Sequence, residues 1–538
     1  MEFTNLKKQK VTEEESLNDR ISKFPDSLVL EILSLLPTKD AFRTCLISKR
    51  WQTLPTLIDS FNFTCLNSRA REDFSFLQNA LAHSLSSKIK KLQLDFTGLW
   101  LLDCSFRPEY ESLVSRCFSF AVERNVENVV LWFYNGDQCT FPESLYTCSS
   151  LITLDVRSCG FNNHAVISWN SLKSIKLGYL VLTDDDIVKL LSGCPALETM
   201  ELYRYMGFSR LEINSPKLKI LKLKDYRRFS ENGDNLEILA PYLQHLEISG
   251  ELDDLKCRLI DVSSVVNAKL IFNMRCIKDL PSFNEEDNCR NYHQVLYSVI
   301  QDNLQKLCHA TELTMGTWFT ETVVECKQYR IKNLYTKTTE LITETCGLFC
   351  AFLQSSIQVF KSKFKQVPVS EFNCRYLKLV LHMKKFNLYG VSGLLRAMPH
   401  METLNIDVET TLLDDFPFHF LDNSRCNFEL VDLAKGDNVD LQSGVSSVEF
   451  HNLKKVKIVI SSERCLKDHV KWGFNKIYNL SEFLLMNASV LEKFIIISKR
   501  RRCQTCSMNC LSQYLSRLAD KLLGCPRSSA NSVIIFRE

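Results

Sequence analysis

Nowhere in the 538 residues is there an unbroken run of about 18 apolar residues, roughly the length a membrane-spanning helix needs. The N-terminus, MEFTNLKKQKVTEEESLNDR, has mixed charge and no apolar stretch of the kind a secretory leader carries. The expectation is a chain that is neither secreted nor membrane-spanning and that works in the cytoplasm, the nucleus or both. An excess of one charge is also missing. With 66 Lys and Arg against 63 Asp and Glu the net charge is only +3, so no global field draws the chain to nucleic acid or to an anionic membrane. Catalytic signatures are absent too: no G-x-S-x-G, H-E-x-x-H, Gly-Lys phosphate loop or G-x-G-x-x-G occurs, and the 10 histidines are scattered. The chain therefore reads as non-catalytic, with no cofactor and with neither nucleic acid nor membrane as a partner.

What is present is ordinary core material, 45% hydrophobic and 24% charged residues, the balance of a soluble globular protein. Length alone suggests about three or four domains, a count that an elongated repeat array would change. The 22 cysteines lie singly on apolar or loop segments, which in an unsecreted chain reads as reduced, mostly buried thiols.

The chain does repeat. An L-x-x-L-x-L pattern, allowing other apolar residues, starts at Val126, Leu151, Leu172, Leu197, Leu218 and Leu243, at successive offsets of 25, 21, 25, 21 and 25 residues. Those offsets fall within the period of leucine-rich repeats. The octet from Leu211 to Leu218 is echoed 25 residues later from Leu236 to Leu243. Weaker copies are Ile89/Leu92/Leu94, Val265/Ala268/Leu270, Ala310/Leu313/Met315, Cys374/Leu377/Leu379 and Met401/Leu404/Ile406. Residues 322–370 fit no copy and read as an irregular or inserted segment. The run Thr183-Asp184-Asp185-Asp186 reads as a helix start meeting the macrodipole, with Ile187, Leu190 and Leu191 behind it, in preference to a metal site.

Alternation within each short strand turns the residues between the apolar ones to the opposite, concave face. That face carries Asp155, Arg157, Lys176, Glu201, Tyr203, Lys222, Lys224, His245 and Glu247, the candidate substrate-binding set, because repeat arrays commonly bind partners there.

Ahead of the repeats stands a short, unusually apolar helical unit. Pro25 is placed to open a helix with Leu28, Ile32 and Leu36 at spacings of four, and Leu33 and Leu35 beside them. Pro37 stops it, and Thr38 or Asp40 can cap a second helix carrying Phe42, Cys45 and Leu46. A unit of some 45 residues needs a neighbour or a partner to be stable. Phe24-Pro25, Leu28, Ile32, Leu36-Pro37 and Ser48-Lys49-Arg50-Trp51 resemble the motif of the plant F-box family. The resemblance implies docking onto a Skp-type adaptor, and through it onto cullin and RING subunits, by Phe24, Pro25, Leu28, Ile32, Leu33, Leu36, Pro37, Leu46, Ser48 and Trp51.

Near the C-terminus, Phe483-Leu484-Leu485, Asn487-Ala488 and Val490-Leu491-Glu492-Lys493 resemble the FBD region that closes many plant F-box and leucine-rich-repeat proteins. The segment reads strand, helix, strand, helix, strand. Between its last two strands, Cys503, Cys506 and Cys510 have a spacing seen in zinc sites, but no second pair follows and they read as a reduced loop. The basic run Lys499–Arg502 reads either as a solvated loop or as a nuclear signal.

The expected chain is thus α/β: a tail over 1–18, a short N-terminal helical F-box over 19–63, an irregular leucine-rich-repeat solenoid over 64–444, and an FBD-like C-terminal cap over 445–538. By resemblance it is the substrate-recognition subunit of a Skp-cullin-F-box ubiquitin ligase whose repeats hold an unknown protein substrate. A non-ubiquitin interaction scaffold and a small-molecule-dependent co-receptor are the alternatives.

Overall fold

The computed structural model describes residues 23–66, 70–98, 107–133, 139–141, 143–162, 165–226, 236–251, 257–273, 302–317, 372–382, 391, 394–395, 397–410, 449–462, 470–499 and 510–537. The expected tail, the irregular segment 322–370, Arg500–Arg502 and the Cys503/Cys506 pair lie outside them. The chain divides into two compact units, Met1–Val181 with Asp185–Glu198, and Leu182–Asp184 with Thr199–Glu538.

The first unit opens with α1 (Asp26–Leu35). Pro25 is not its first helical residue but the extended residue before it, and its carbonyl accepts the N–H groups of Leu28 and Val29 at 3.1 and 3.2 Å. Leu36 is extended, as the ring of Pro37 demands of its predecessor. The second helix, α2 (Thr38–Arg43), is shorter than expected and gives way to 3-10 turns at Thr44–Leu46, Lys49–Gln52 and Leu54–Leu57. Neither Thr38 nor Asp40 caps α2, because Thr38 has a longer-range use. Its side chain is fully buried, and its Oγ1 accepts the N–H of Asn62 at 2.7 Å.

Asn62 lies on β1 (Ser60–Leu66), which is followed by α3 (Ala70–Ala82), β2 (Lys91–Gly98), α4 (Arg107–Glu123), β3 (Asn128–Trp132), α5 (Glu143–Tyr146), β4 (Thr153–Arg157) and β5 (Ser174–Val181). The five strands pair in chain order, all parallel. The register sets equivalent repeat positions side by side: Leu92, Val129, Leu154 and Ile175 in one row, Leu94, Leu131, Val156 and Leu177 in the next. All eight are buried. Phe61 and Phe63 of β1 join the same two rows, so Ile58, Phe61 and Phe63 form an earlier copy of the pattern inside the segment expected to be F-box alone. The F-box is therefore continuous with the first repeat, which supplies the neighbour that so small a helical unit requires.

In the second unit ten parallel strands run in chain order: β6 (Thr199–Met206), β7 (Ile220–Lys224), β8 (His245–Glu251), β9 (Asn267–Asn273), β10 (Glu312–Gly316), β11 (Tyr376–His382), β12 (Thr403–Thr410), β13 (Lys455–Ser462), β14 (Lys493–Lys499) and β15 (Val533–Arg537). The weak copies are real strands. Ala268, Leu313, Leu377, Leu404, Val456, Phe494 and Ile534 share one row. The C-terminal strand–helix–strand–helix–strand order is present, with α6 (Val470–Asn487) and α7 (Cys510–Leu523), and its strands extend the same sheet. The echoed octets contribute short strands at Arg210–Glu212 and Leu236–Leu239, which pair in a second sheet with Cys257–Asp261. The first carboxylate of the triple-Asp run, Asp184, accepts the N–H groups of Ser209 and Arg210 at 2.9 and 3.1 Å.

One repeat feature is conformational. Ser158, Tyr179, Arg204 and Asp225 have positive φ, as does Gly250, at spacings of 21, 25, 21 and 25 residues. Each sits seven residues after its repeat's first leucine and breaks the strand's alternation. Thus Tyr203 and Arg204 both face outward, and Tyr205 returns to the core with no exposure. Gly250, the glycine of this column, has no tolerance for a side chain: its φ is 135°, and a Cβ there would come within 2.9 Å of the Asp225 nitrogen. Gly250→Ala is expected to cost about 1–3 kcal/mol, read as a lowered urea midpoint. Arg204→Gly, which relieves the left-handed strain, should hold or raise it. A midpoint lowered by Arg204→Gly contradicts the strain argument.

Candidate functional site

Two surfaces carry the expected site residues, one on the F-box and one on the outward face of the strands. On the F-box, α1 has apolar residues on two sides. Val29 and Leu33 are 0% and 1% exposed and pack into the core with Ala41, Trp51, Leu54 and Ile58. Leu28 and Ile32 stay 38% exposed, and Leu35, Leu46 and Ile47 reach 80%, 86% and 65%. Pro25, Pro37 and Ser48 are exposed, and Phe24 and Leu36 half-buried. Leu33 and Trp51, expected to face the adaptor, are core residues. Leu35, Ile47 and Leu57 belong with the exposed apolar set and were not in the expected one.

Contacts to the first repeat choose which side of α1 is buried. Lys39 Nζ binds Asp73 at 2.9 Å, and Phe42 meets Phe76 edge to face at 5.8 Å. Ser34 donates to Asp59 at 3.2 Å, and Thr38 holds Asn62 as described. On the other flank Arg50 clamps the motif's two ends together. Its Nε and Nη2 reach Asp26 Oδ1 at 2.9 and 2.6 Å, and Nη2 also donates to the Phe24 carbonyl. The leucines and isoleucines therefore stand on a braced surface, the condition under which apolar exposure becomes an interface.

On the outward strand face of the first unit, Asp155, Arg157 and Lys176 are half-buried neighbours, with Asp155 opposite Lys176 in the register. Trp132 Nε1 donates to Asp155 at 3.2 Å, and the Arg157 guanidinium lies 4.8 Å from the Trp132 ring centre and 5.7 Å from that of Tyr179. Trp132 and Tyr179 were missed; Trp132 stands in the same repeat position as Arg157, which was the available signal.

In the second unit the expected residues form a ladder of alternating charge. Glu201, Lys222, Glu247 and Lys269 share one row, with Lys224 beside Tyr203 in the next. Lys222 and Lys224 lie 4.0 and 3.5 Å from Glu201, and Lys224 and Lys269 lie 3.9 and 2.8 Å from Glu247. Burial alone would raise the Glu247 carboxyl, but the hydrogen bond and charge of Lys269, with the charges of Lys224 and Lys222, hold it below the usual carboxylate range. His245, at the start of β8, is pushed down by burial and by Lys222 and Lys269, against the pull of Glu247 and Glu312. Much of this set is occupied with itself, and Lys269 completes it.

A folded-state pKa below the unfolded one makes the Glu247 contribution fully present above the ordinary carboxylate range, and lost as pH falls through the folded value. Glu247→Gln is expected to cost about 1–2 kcal/mol at neutral pH and to flatten the fall in stability on acidification. Urea midpoints at pH 7 and pH 4 check both; an unchanged slope contradicts the assignment.

Buried thiols line both cores. Burial pushes Cys65, Cys194 and Cys374 up to about 12, and Cys117 and Cys257 higher still. No helix among the described residues is long and apolar enough to cross a membrane.

Comparison with known proteins bears on both surfaces. Residues 21–63 match the F-box domain, and residues 114–270 match the family described as "FBD-associated F-box protein At5g56370, LRR repeats". F-box/LRR-repeat protein 25 of Arabidopsis thaliana is 30% identical over 235 residues, 43% of this chain and 86% of that protein. A putative F-box/FBD/LRR-repeat protein of the same plant is 31% identical over 263 residues, 48% of this chain and 59% of the relative. A putative F-box/LRR-repeat protein is 28% identical over 312 residues, 55% of this chain. The chain spans 60% of that relative's length.

Proposed function

The chain belongs to the plant F-box/FBD/leucine-rich-repeat family, and from that premise we propose that it is the substrate-recognition subunit of a Skp-cullin-F-box ubiquitin ligase. The observation that carries the reading is the braced apolar surface of Leu28, Ile32, Leu35, Leu46 and Ile47 on a domain whose relatives are named for the F-box. Burying about five such side chains at roughly 1.5–3 kcal/mol each offsets an association cost of about 4–15 kcal/mol. The adaptor would seat there, with cullin and RING subunits joined through it, in the cytoplasm, the nucleus or both. The outward faces of the strands would hold the protein substrate, and residues 445–538 would serve as an FBD-like terminal region of the same array. The chain's own contribution is proximity: it keeps a substrate lysine where a charged conjugating enzyme can reach it.

The test is proximity labelling in plant cells, with the intact chain and with its F-box surface disabled. Proteins that accumulate beside the disabled chain, and beside the intact chain only when the proteasome is inhibited, support the ligase reading. Neighbours whose abundance responds to neither treatment contradict it.

A further inference from the structure

The outward face of the second unit's sheet changes character along its length. Over β6 to β9 each lysine of the ladder has a glutamate within 4.0 Å, and on β11 Lys378 is held by Asp407 of β12 at 2.7 Å. Beyond β12 this compensation stops. Lys455 of β13 stands directly opposite Lys493 of β14, and Lys457 stands opposite Ile495. No carboxylate among the described residues pairs with Lys455, Lys457 or Lys493. Lys454 does pair, with Glu402 at 3.8 Å, but it precedes the strand.

Like charges directly across a strand pair destabilise a sheet, and among the described strands of this unit no other lysine on this face stands opposite a lysine. The three lysines also border aliphatic residues. Lys493 lies opposite Val533, which is 56% exposed, and Ile495 lies opposite the half-buried Ile535. The result is a compact patch, two residues deep across β13 to β15, cationic on β13 and at Lys493 and aliphatic at Ile495 and along β15. Its charge calls for carboxylates and its aliphatic side for branched apolar side chains.

We propose that this patch is a docking surface for an acidic segment of a partner protein, one in which Asp or Glu alternates with Leu, Ile or Val. The inference rests on the substrate-recognition reading, and it names the chemistry of the segment recognised. Such a segment would bring its carboxylates to Lys455, Lys457 and Lys493 and lay its aliphatic residues over Ile495, Val533 and Ile535.

The test uses the purified full chain and a fluorescein-labelled peptide of alternating glutamate and leucine. Binding should weaken as salt is raised, and K455E/K457E/K493E should lower affinity at least tenfold. The neutral variant K455Q/K457Q/K493Q should lower it less and should unfold at or above the wild-type temperature, since it relieves like-charge crowding, whereas K455E/K457E/K493E keeps like charges opposite each other and should unfold near the wild-type temperature. K90E/K217E/K306E, which changes net charge equally at exposed lysines elsewhere, should leave affinity within about twofold. Equal loss in that control, equal binding of a lysine–leucine peptide, or tighter binding of duplex DNA through the same three lysines would overturn the proposal. Adaptor capture is read on the same preparations. If the chain binds peptide through the three lysines but captures no adaptor, the docking surface stands and the ligase reading alone is lost.

Discussion

Leu28→Asp combined with Ile32→Asp is expected to abolish capture of a Skp-type adaptor while leaving the chain folded. Both residues lie one turn apart on the exposed side of α1, each 38% exposed, so neither substitution opens a cavity in the core. What is lost is the burial of the part of each side chain that is still exposed, about 1–2 kcal/mol together. Two carboxylates that would have to be desolvated on binding add to that. At about 1.4 kcal/mol per tenfold, affinity should fall by at least about a hundredfold. Thermal unfolding should move by no more than about a degree or two. Retained capture would remove Leu28 and Ile32 from the interface; a large drop in unfolding temperature would show that they belong to the core instead.

Trp51→Ala is expected to do the reverse. Trp51 belongs to the same motif, but it is 6% exposed and part of the core, so truncation leaves a cavity and should cost about 3–5 kcal/mol. The loss should register first as faster hydrogen exchange of the α1 amides and of the Asn62 amide, which is tied to Thr38. Adaptor capture should fall with temperature in parallel with that loosening and recover on cooling. A Trp51→Ala chain with wild-type exchange but no capture would place the indole in the interface after all. The two substitutions together separate the motif's surface from its core, which sequence alone does not.

The reason lies in α1 itself. Leu28/Ile32 and Val29/Leu33 are both apolar pairs at helical spacing, and either could face the core; long-range contacts of Thr38, Lys39 and Phe42 with β1 and α3 decide. The repeats were far more legible, because their apolar spacing is also their register: positions matched along the chain lie side by side in the sheet. The first copy stayed hidden because Ile58, Phe61 and Phe63 fall inside the segment whose motif reads as F-box, ahead of the repeats. The left-handed column at Ser158, Tyr179, Arg204 and Asp225 leaves no compositional trace, since none is glycine and only the spacing gives it away. The charged ladder was half legible. Alternation finds Glu201, Lys222 and Glu247, but their mutual pairing depends on which strands are neighbours and on Lys269 from a weaker copy.

The central claim, that the apolar face of the F-box is the chain's fixed attachment point, is tested most directly by a binding isotherm of a purified Skp-type adaptor against the full chain. The account predicts a one-to-one complex of micromolar or tighter affinity that Leu28→Asp with Ile32→Asp eliminates and Lys455→Glu with Lys493→Glu leaves intact. No complex at adaptor concentrations of tens of micromolar, or a complex indifferent to Leu28 and Ile32, would contradict it.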